Sequence, residues 1–189
     1  MNAVMTHVAP KATNLIRADH TKVLAAFHRY ERTTPAKVKL ALVSTITLAI
    51  EIHAQLEEEI FYPAMRTADP SFIDRAVPEH DQMRRLMDAL RGTEPTDSAF
   101  DATFMELMRT VMHHVADEET ILLPQAERLL ERDLTALGAR MMRRKLELMR
   151  RHAGELARNR WRRTPATGLV AGAGALIAGS FLLRYALRR

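Results

Sequence analysis

One eleven-residue pattern occurs twice in this chain and constrains its fold more than anything else in it. The first copy is His53-Ala54-Gln55-Leu56-Glu57-Glu58-Glu59-Ile60-Phe61-Tyr62-Pro63, and the second is His114-Val115-Ala116-Asp117-Glu118-Glu119-Thr120-Ile121-Leu122-Leu123-Pro124. Both read His, acidic residues at +4 and +5, an apolar pair at +7 and +8, and Pro at +10. On a helix, residues four apart lie one turn apart on one face, so each copy points an imidazole and a carboxylate at one place. The repeat extends backwards. Asp19-His20 precedes the first copy and Glu79-His80 the second, with His20 to His53 spanning 33 residues and His80 to His114 spanning 34. The unit is a helical hairpin of about 60 residues that carries His and then His-x-x-x-Glu.

Apolar periodicity places the helices. Leu15, Ile16, His20, Val23, Leu24 and Phe27 predict a first helix over about 12–31. Thr34 as cap and Pro35 at the first position predict a second over about 35–65. Pro63 and Pro124 imply either that the second helix ends near Pro63 or that both inner helices bend just beyond His-x-x-x-Glu. Thr67-Ala68-Asp69-Pro70 reads as a turn, and a third helix runs to about Leu90 with Gly92 as its C-terminal stop. Pro78 marks a second helix start that would put His80 in the first turns. A fourth helix covers about 98–131 and carries His114 and Glu118. The expected fold is all-α, an up-down four-helix bundle over 12–132 behind a short N-terminus (1–11), followed by a basic helical stalk (133–163) and a transmembrane anchor with a basic tail (164–189).

The chain has no cysteine, so a metal would have to be held by nitrogen and oxygen alone. The expected ligands are His20, His53, Glu57, His80, His114 and Glu118. His20 with His53 would serve one cation and His80 with His114 the other, with Glu57 and Glu118 bridging. Such mixed ligation suits iron, manganese or zinc. Glu58 and Glu59 are left to surrounding or surface roles, and Glu119 rivals Glu118. His113 points about 100° away from His114, while His7, His28 and His152 fit no part of the pattern.

Charge divides the chain. Residues 137–163 hold ten Lys/Arg and two Glu; with Arg184, Arg188 and Arg189 and a total of +5, residues 1–136 carry −6. Residues 166–183 hold no charge and would span about 27 Å as a helix, near the thickness of a bilayer core. Trp161 and Tyr185 with arginines flank this segment, and Gly168-x-x-x-Gly172 offers a small-residue face for self-association. The denser upstream arginines predict a single-pass protein with its N-terminal domain in the cytoplasm. Membrane proximity accounts for the basic stalk, and no nucleic-acid partner is expected.

At Asp19-His20, His53-x-x-x-Glu57, Glu79-His80, His114-x-x-x-Glu118 and the two trailing prolines, the chain resembles the hemerythrin family, specifically bacterial hemerythrin-like HHE cation-binding domains. The resemblance covers about residues 12–131. It implies a non-haem centre of two iron ions with bridging carboxylates, and a role in binding or sensing oxygen, nitric oxide, peroxide or iron. Oxygen-carrying hemerythrins have one more histidine a turn from the third-helix ligand; here the positions four from His80 are Ala76 and Arg84. This departure argues against stable oxygen carriage. It leaves coordination open for an enzyme that decomposes peroxide or reduces nitric oxide. A membrane-tethered scaffold without chemistry is a third reading.

Overall fold

The computed structural model describes residues 9–66 and 69–163, with side-chain surroundings given as far as Ala153. Among the described residues the chain is all-helical, with no strand. The helices are α1 (Ala12–Phe27), α2 (Ala36–Leu56), α3 (Tyr62–Met65), α4 (Pro70–Arg91), α5 (Ser98–Asp117), α6 (Leu123–Leu129) and α7 (Leu134–Arg163). A π-helical turn, Glu57–Phe61, joins α2 to α3, and a second, Glu118–Leu122, joins α5 to α6. α1 packs on α2 and α4 on α5; α1 also meets α5, and α2 meets α4. The two repeat units are therefore two hairpins facing each other. The unit up to Leu146 is compact by itself, and residues from Glu147 onward form a second unit.

The helix ends differ from the sequence expectations for identifiable reasons. α1 stops at Phe27, four residues short of the expected end, because the chain tightens into Arg29 N–H to Ala26 and Tyr30 N–H to Phe27 carbonyl bonds. This turn delivers the Tyr30 ring onto Phe104, 4.1 Å between centroids. It also brings the Tyr30 hydroxyl to Asp101, which accepts a second bond from Lys39 Nζ at 2.7 Å. Pro35 is itself the cap of α2, in place of Thr34. α4 starts at Pro70, where the Asp69 carboxylate accepts from Phe72 N–H at 2.9 Å. Pro78 is inside this helix, so His80 lies three turns in and not near a helix start. Gly92 does cap this helix after Arg91, as expected, but with φ −91° it stays right-handed.

Apolar side chains from both hairpins fill the interior on one side of the histidines, among them Phe27, Ile46, Ile50, Met87, Phe100, Phe104 and Leu107. Beyond the histidines lie Ile16, Phe61, Met65, Ile73, Leu122 and Leu123, also buried. The polar layer is thus enclosed at both ends. The start of α7 closes over the same unit: Leu134, Leu137 and Met141 are buried, and Gly138 meets the N-terminal segment so closely that an added Cβ would sit 2.0 Å from the Pro10 carbonyl oxygen.

Among the described residues one helix, Ala36–Met65, is long and apolar enough to cross a membrane. It carries His53 and Glu57 into the interior, and many of its side chains belong to the core. The uncharged segment 166–183 lies outside the described residues.

Two outcomes follow for stability. Gly138→Ala should cost about 1–3 kcal/mol through overpacking, whereas Gly92→Ala, whose Cβ would meet nothing nearer than 3.7 Å, should leave the thermal midpoint almost unchanged. Burial pushes the Asp101 carboxyl up, but the Lys39 and Tyr30 hydrogen bonds outweigh it and its pKa is lowered. The stabilisation is therefore complete above about pH 4, the unfolded value, and is lost as pH falls through the lower folded value. Chemical denaturation should find Asp101→Asn about 2 kcal/mol less stable at pH 7, with the gap narrowing in acid.

Candidate metal centre

The helical repeat brings His20, His53, Glu57, His80, His114 and Glu118 together in one layer. Glu57 and Glu118 are 0% exposed, His80 1%, His20 and His114 2%, and the His53 side chain 11%. His20 and His53 lie on one side, ring centroids 4.9 Å apart, and His80 and His114 on the other, 4.6 Å apart. The carboxylates stand between them. Glu57 Oε2 is 3.3 Å from His53 Nε2 and 3.5 Å from His80 Nε2; Glu118 Oε2 is 3.2 Å from His20 Nε2 and 3.7 Å from His114 Nε2. Donor atoms of His20, His53, Glu57 and Glu118 fall within 4.8 Å of one another, and so do those of Glu57, His80 and His114.

The π turns create this convergence. Tyr62 N–H bonds the Glu57 carbonyl and Leu123 N–H the Glu118 carbonyl, each five residues back. Pro63 and Pro124 follow directly and have no N–H to offer an α-register bond, which favours the wider turn. Of the two alternatives at the prolines, the first holds for the first copy, whose helix ends at Met65, two residues past Pro63, whereas the second copy passes through its π turn and runs on to Leu129. In the wider turn Tyr62 stacks above Glu57 and enters the layer.

Carboxylates outside the layer fix how the imidazoles face. His20 Nδ1 bonds Glu119 at 2.9 Å, His80 Nδ1 bonds Glu58 at 2.9 Å and His114 Nδ1 bonds Glu79 at 2.8 Å. Glu58 and Glu119 are the +5 residues of the two copies, and each reaches the outer histidine of the opposite hairpin. Glu58 is further held by Arg84 at 2.7 and 2.8 Å. The Glu79 carboxyl is held below its usual range, first by the His114 bond; at Glu58 burial works upward but His80 and Arg84 prevail and its pKa is also lowered. Ionised carboxylates only accept, so His80 and His114 donate from Nδ1 and turn Nε2 inward. Those two nitrogens face each other at 3.0 Å. A contact that short is met by a proton on one of the two nitrogens or by a cation held by both.

The same tension runs through the rest of the layer. His20 Nε2, His53 Nε2, Glu57 Oε1 and Glu118 Oε2 are buried and make no well-aligned hydrogen bond; His20 Nε2 and Glu118 Oε2 meet only as an ion-pair contact of 3.2 Å, and His53 Nε2 lies 3.3 Å from Glu57 Oε2. Burial and the neighbouring Glu118 push the Glu57 carboxyl well up. Burial also works upward on Glu118, but His114, His20 and His53 prevail and hold it low. Burial and the other imidazoles push His53 well down, whereas at His20 and His114 the carboxylates outweigh burial and raise the pKa. Unpaired buried donors and acceptors are costly. A set of four imidazoles and two carboxylates aimed at common points fits cations with N/O preference.

Tyr62 was invisible to the repeat, because its counterpart in the second copy is Leu123. Its hydroxyl donates to Glu118 Oε1 at 2.8 Å and lies 3.4 Å from His80 Nε2, with the ring stacked on His80. Burial, then Glu57 and Glu118, push this phenol well up, so it keeps its proton. The only sequence signal was an aromatic residue next to the patterned proline. Of the positions four from His80, Ala76 is a buried methyl and Arg84 turns onto Glu58. His113 is 70% exposed and outside the layer. A cavity of about 20 Å³ borders His20, His53 and His114 and is walled by Val23, Ile50, Met83, Val111 and Val115. That is room for about one water-sized molecule. A larger open depression by Ile121, Pro124 and Arg128 contains none of the inward-facing donors.

One solved structure shares this fold, and one known protein is similar in sequence. A crystal structure of a hemerythrin HHE cation binding domain-containing protein from Mycobacterium kansasii aligns with a TM-score of 0.65 at 20% identity, over 74% of this chain and 87% of that one. A DNA nickase from Nostoc sp. is 27% identical over 110 residues, 58% of this chain but 31% of the relative, so the chain spans about a third of that protein's length. The family model of the hemerythrin HHE cation binding domain matches residues 11–126. By that match, the chain belongs to the hemerythrin HHE cation binding domain family.

Proposed function

We propose that His20, His53, Glu57, His80, His114 and Glu118 hold two iron ions between two hairpins that form an up-down four-helix bundle. The protein then binds or senses a small diatomic molecule, peroxide or iron. The observation that carries this reading is the set of buried donor atoms without a well-aligned hydrogen bond, together with two imidazole nitrogens 3.0 Å apart whose other nitrogens are already engaged. Family membership makes cation binding the expected role, and iron suits the N/O donor set, as manganese or zinc would. Such a metal pair supplies Lewis-acid and redox chemistry when bound.

The chain's own residues have separable tasks. Glu58, Glu79 and Glu119 hold three imidazoles in the tautomer that presents Nε2 inward. Glu57 and Glu118 supply negative charge between the two histidine pairs. The walls of the small cavity exclude bulk water and leave room for one small ligand. Segment 166–183 is proposed as a single membrane anchor with the metal-binding body on the cytoplasmic side. What supports this is its length, its lack of charge and its aromatic and arginine flanks.

A second reading, an enzyme that consumes peroxide or nitric oxide, is favoured by one observation. Tyr62 places its hydroxyl inside the layer, 2.8 Å from Glu118 Oε1 and 3.4 Å from His80 Nε2, where an O–H group faces a ligand at the centre.

Iron analysis of full-length protein, loaded anaerobically and desalted, should find about two tightly held ions per chain. His53→Ala should lower this content and cancel the rise in thermal midpoint that iron gives the wild type. Iron far below two, with His53→Ala indistinguishable from wild type, would remove the reading. Because protons compete for the imidazoles and carboxylates, dialysis at falling pH should strip the metal in acid and restore it on return to neutrality. Tyr62→Phe should retain iron. If the protein is an enzyme, its turnover of peroxide or nitric oxide should drop by at least about tenfold; stoichiometric binding without turnover in the wild type would leave sensing as the function.

A further inference from the structure

The two copies of the repeat part company on their outer faces. Glu79, His113 and Asp117 of the second copy correspond to Asp19, Ile52 and Leu56 of the first. Ile52 and Leu56 are buried, and Asp19 is taken by Lys145 of α7. In the second copy the same three positions are polar and reach solvent. His113 and Asp117 lie one turn apart on α5, and Glu79 approaches from α4. One donor atom from each of the three lies within 4.8 Å of the others.

The division of Glu79 gives this cluster its meaning. Its Oε2 is engaged by His114 Nδ1 at 2.8 Å, which fixes the carboxylate, and its Oε1 is left 4.0 Å from His113 Nε2. That separation is too long for a hydrogen bond. A tetrahedral cation with bonds of about 2.0–2.1 Å would draw the two donors to about 3.4 Å, a small closure that the exposed His113 side chain can make. Asp117 supplies a third donor from the same face, and solvent can complete the shell. We propose that Glu79, His113 and Asp117 form a surface site for one divalent cation of the N/O-preferring class, distinct from the buried layer. The site shares only Glu79 with the groups around that layer, and through the other oxygen. The −6 charge of residues 1–136 favours cation approach.

The test is equilibrium dialysis of the full chain against Zn²⁺, comparing wild type with His113→Ala/Asp117→Ala, with circular dichroism to verify folding. Wild type should bind one readily exchanged equivalent that the double variant lacks or binds at least about tenfold more weakly. His113→Gln, a single change at an exposed position, serves if the double variant does not fold and should weaken the same equivalent. A folded variant with unchanged stoichiometry and affinity overturns the proposal. The comparison reads a difference, so it does not depend on the buried centre. A wild type whose only equivalent disappears in the variant keeps the surface site and sinks the two-metal reading. Two tight equivalents that the substitutions do not move do the opposite.

Discussion

The crowding of four imidazoles and two carboxylates into one buried layer is the constraint on which this structure depends. The layer is closed above and below by apolar side chains, and several of its inward atoms make no well-aligned hydrogen bond. A helical protein avoids such an arrangement unless something positive resolves it. The rest of the body serves to hold the layer in this state. The phenylalanine and methionine cluster packs one end, Phe61, Met65 and Leu123 the other, and two π turns set the carboxylates between the histidine pairs.

The hairpins are cross-linked through the carboxylates around the layer. Glu58 of the first engages His80 of the second, and Glu119 of the second engages His20 of the first. Neither hairpin can orient its outer histidine alone, so the site and the pairing of the hairpins form together. α7 breaks this symmetry. Lys145 takes Asp19, and Arg144 grips Glu59 at 2.6 and 2.9 Å, both beside site residues of the first copy. The second copy keeps its equivalent of Asp19, Glu79, for His114. A duplicated sequence has become a centre with a covered side and an open side.

The legible part of this architecture is the part written at helical spacing. His53-x-x-x-Glu57 and His114-x-x-x-Glu118 declare their common face because a turn is close to four residues, and repetition separates that signal from chance. What depends on tertiary placement stayed hidden. Nothing local says that Glu58 will meet His80, 22 residues away. Tyr62 has no partner in the other copy, and it enters the layer only because a π turn shifts the helix phase just before it. Local signals also misled at boundaries. Pro78 reads as a helix start, yet Asp69 and Pro70 provide the real one, whereas Gly92 does end its helix, in a right-handed conformation. The early end of α1 reflects the pull of Asp101 and Phe104 on Tyr30, which no window on α1 contains.

The most direct test is a crystal structure of the metal-loaded protein with anomalous scattering measured at the metal edge. Two peaks are expected about 3.5–4 Å apart, one beside the Nε2 atoms of His20 and His53 and one beside those of His80 and His114, with Glu57 and Glu118 between. Anomalous density absent from this layer, or six side chains turned back onto protein partners of their own, would contradict the two-metal centre.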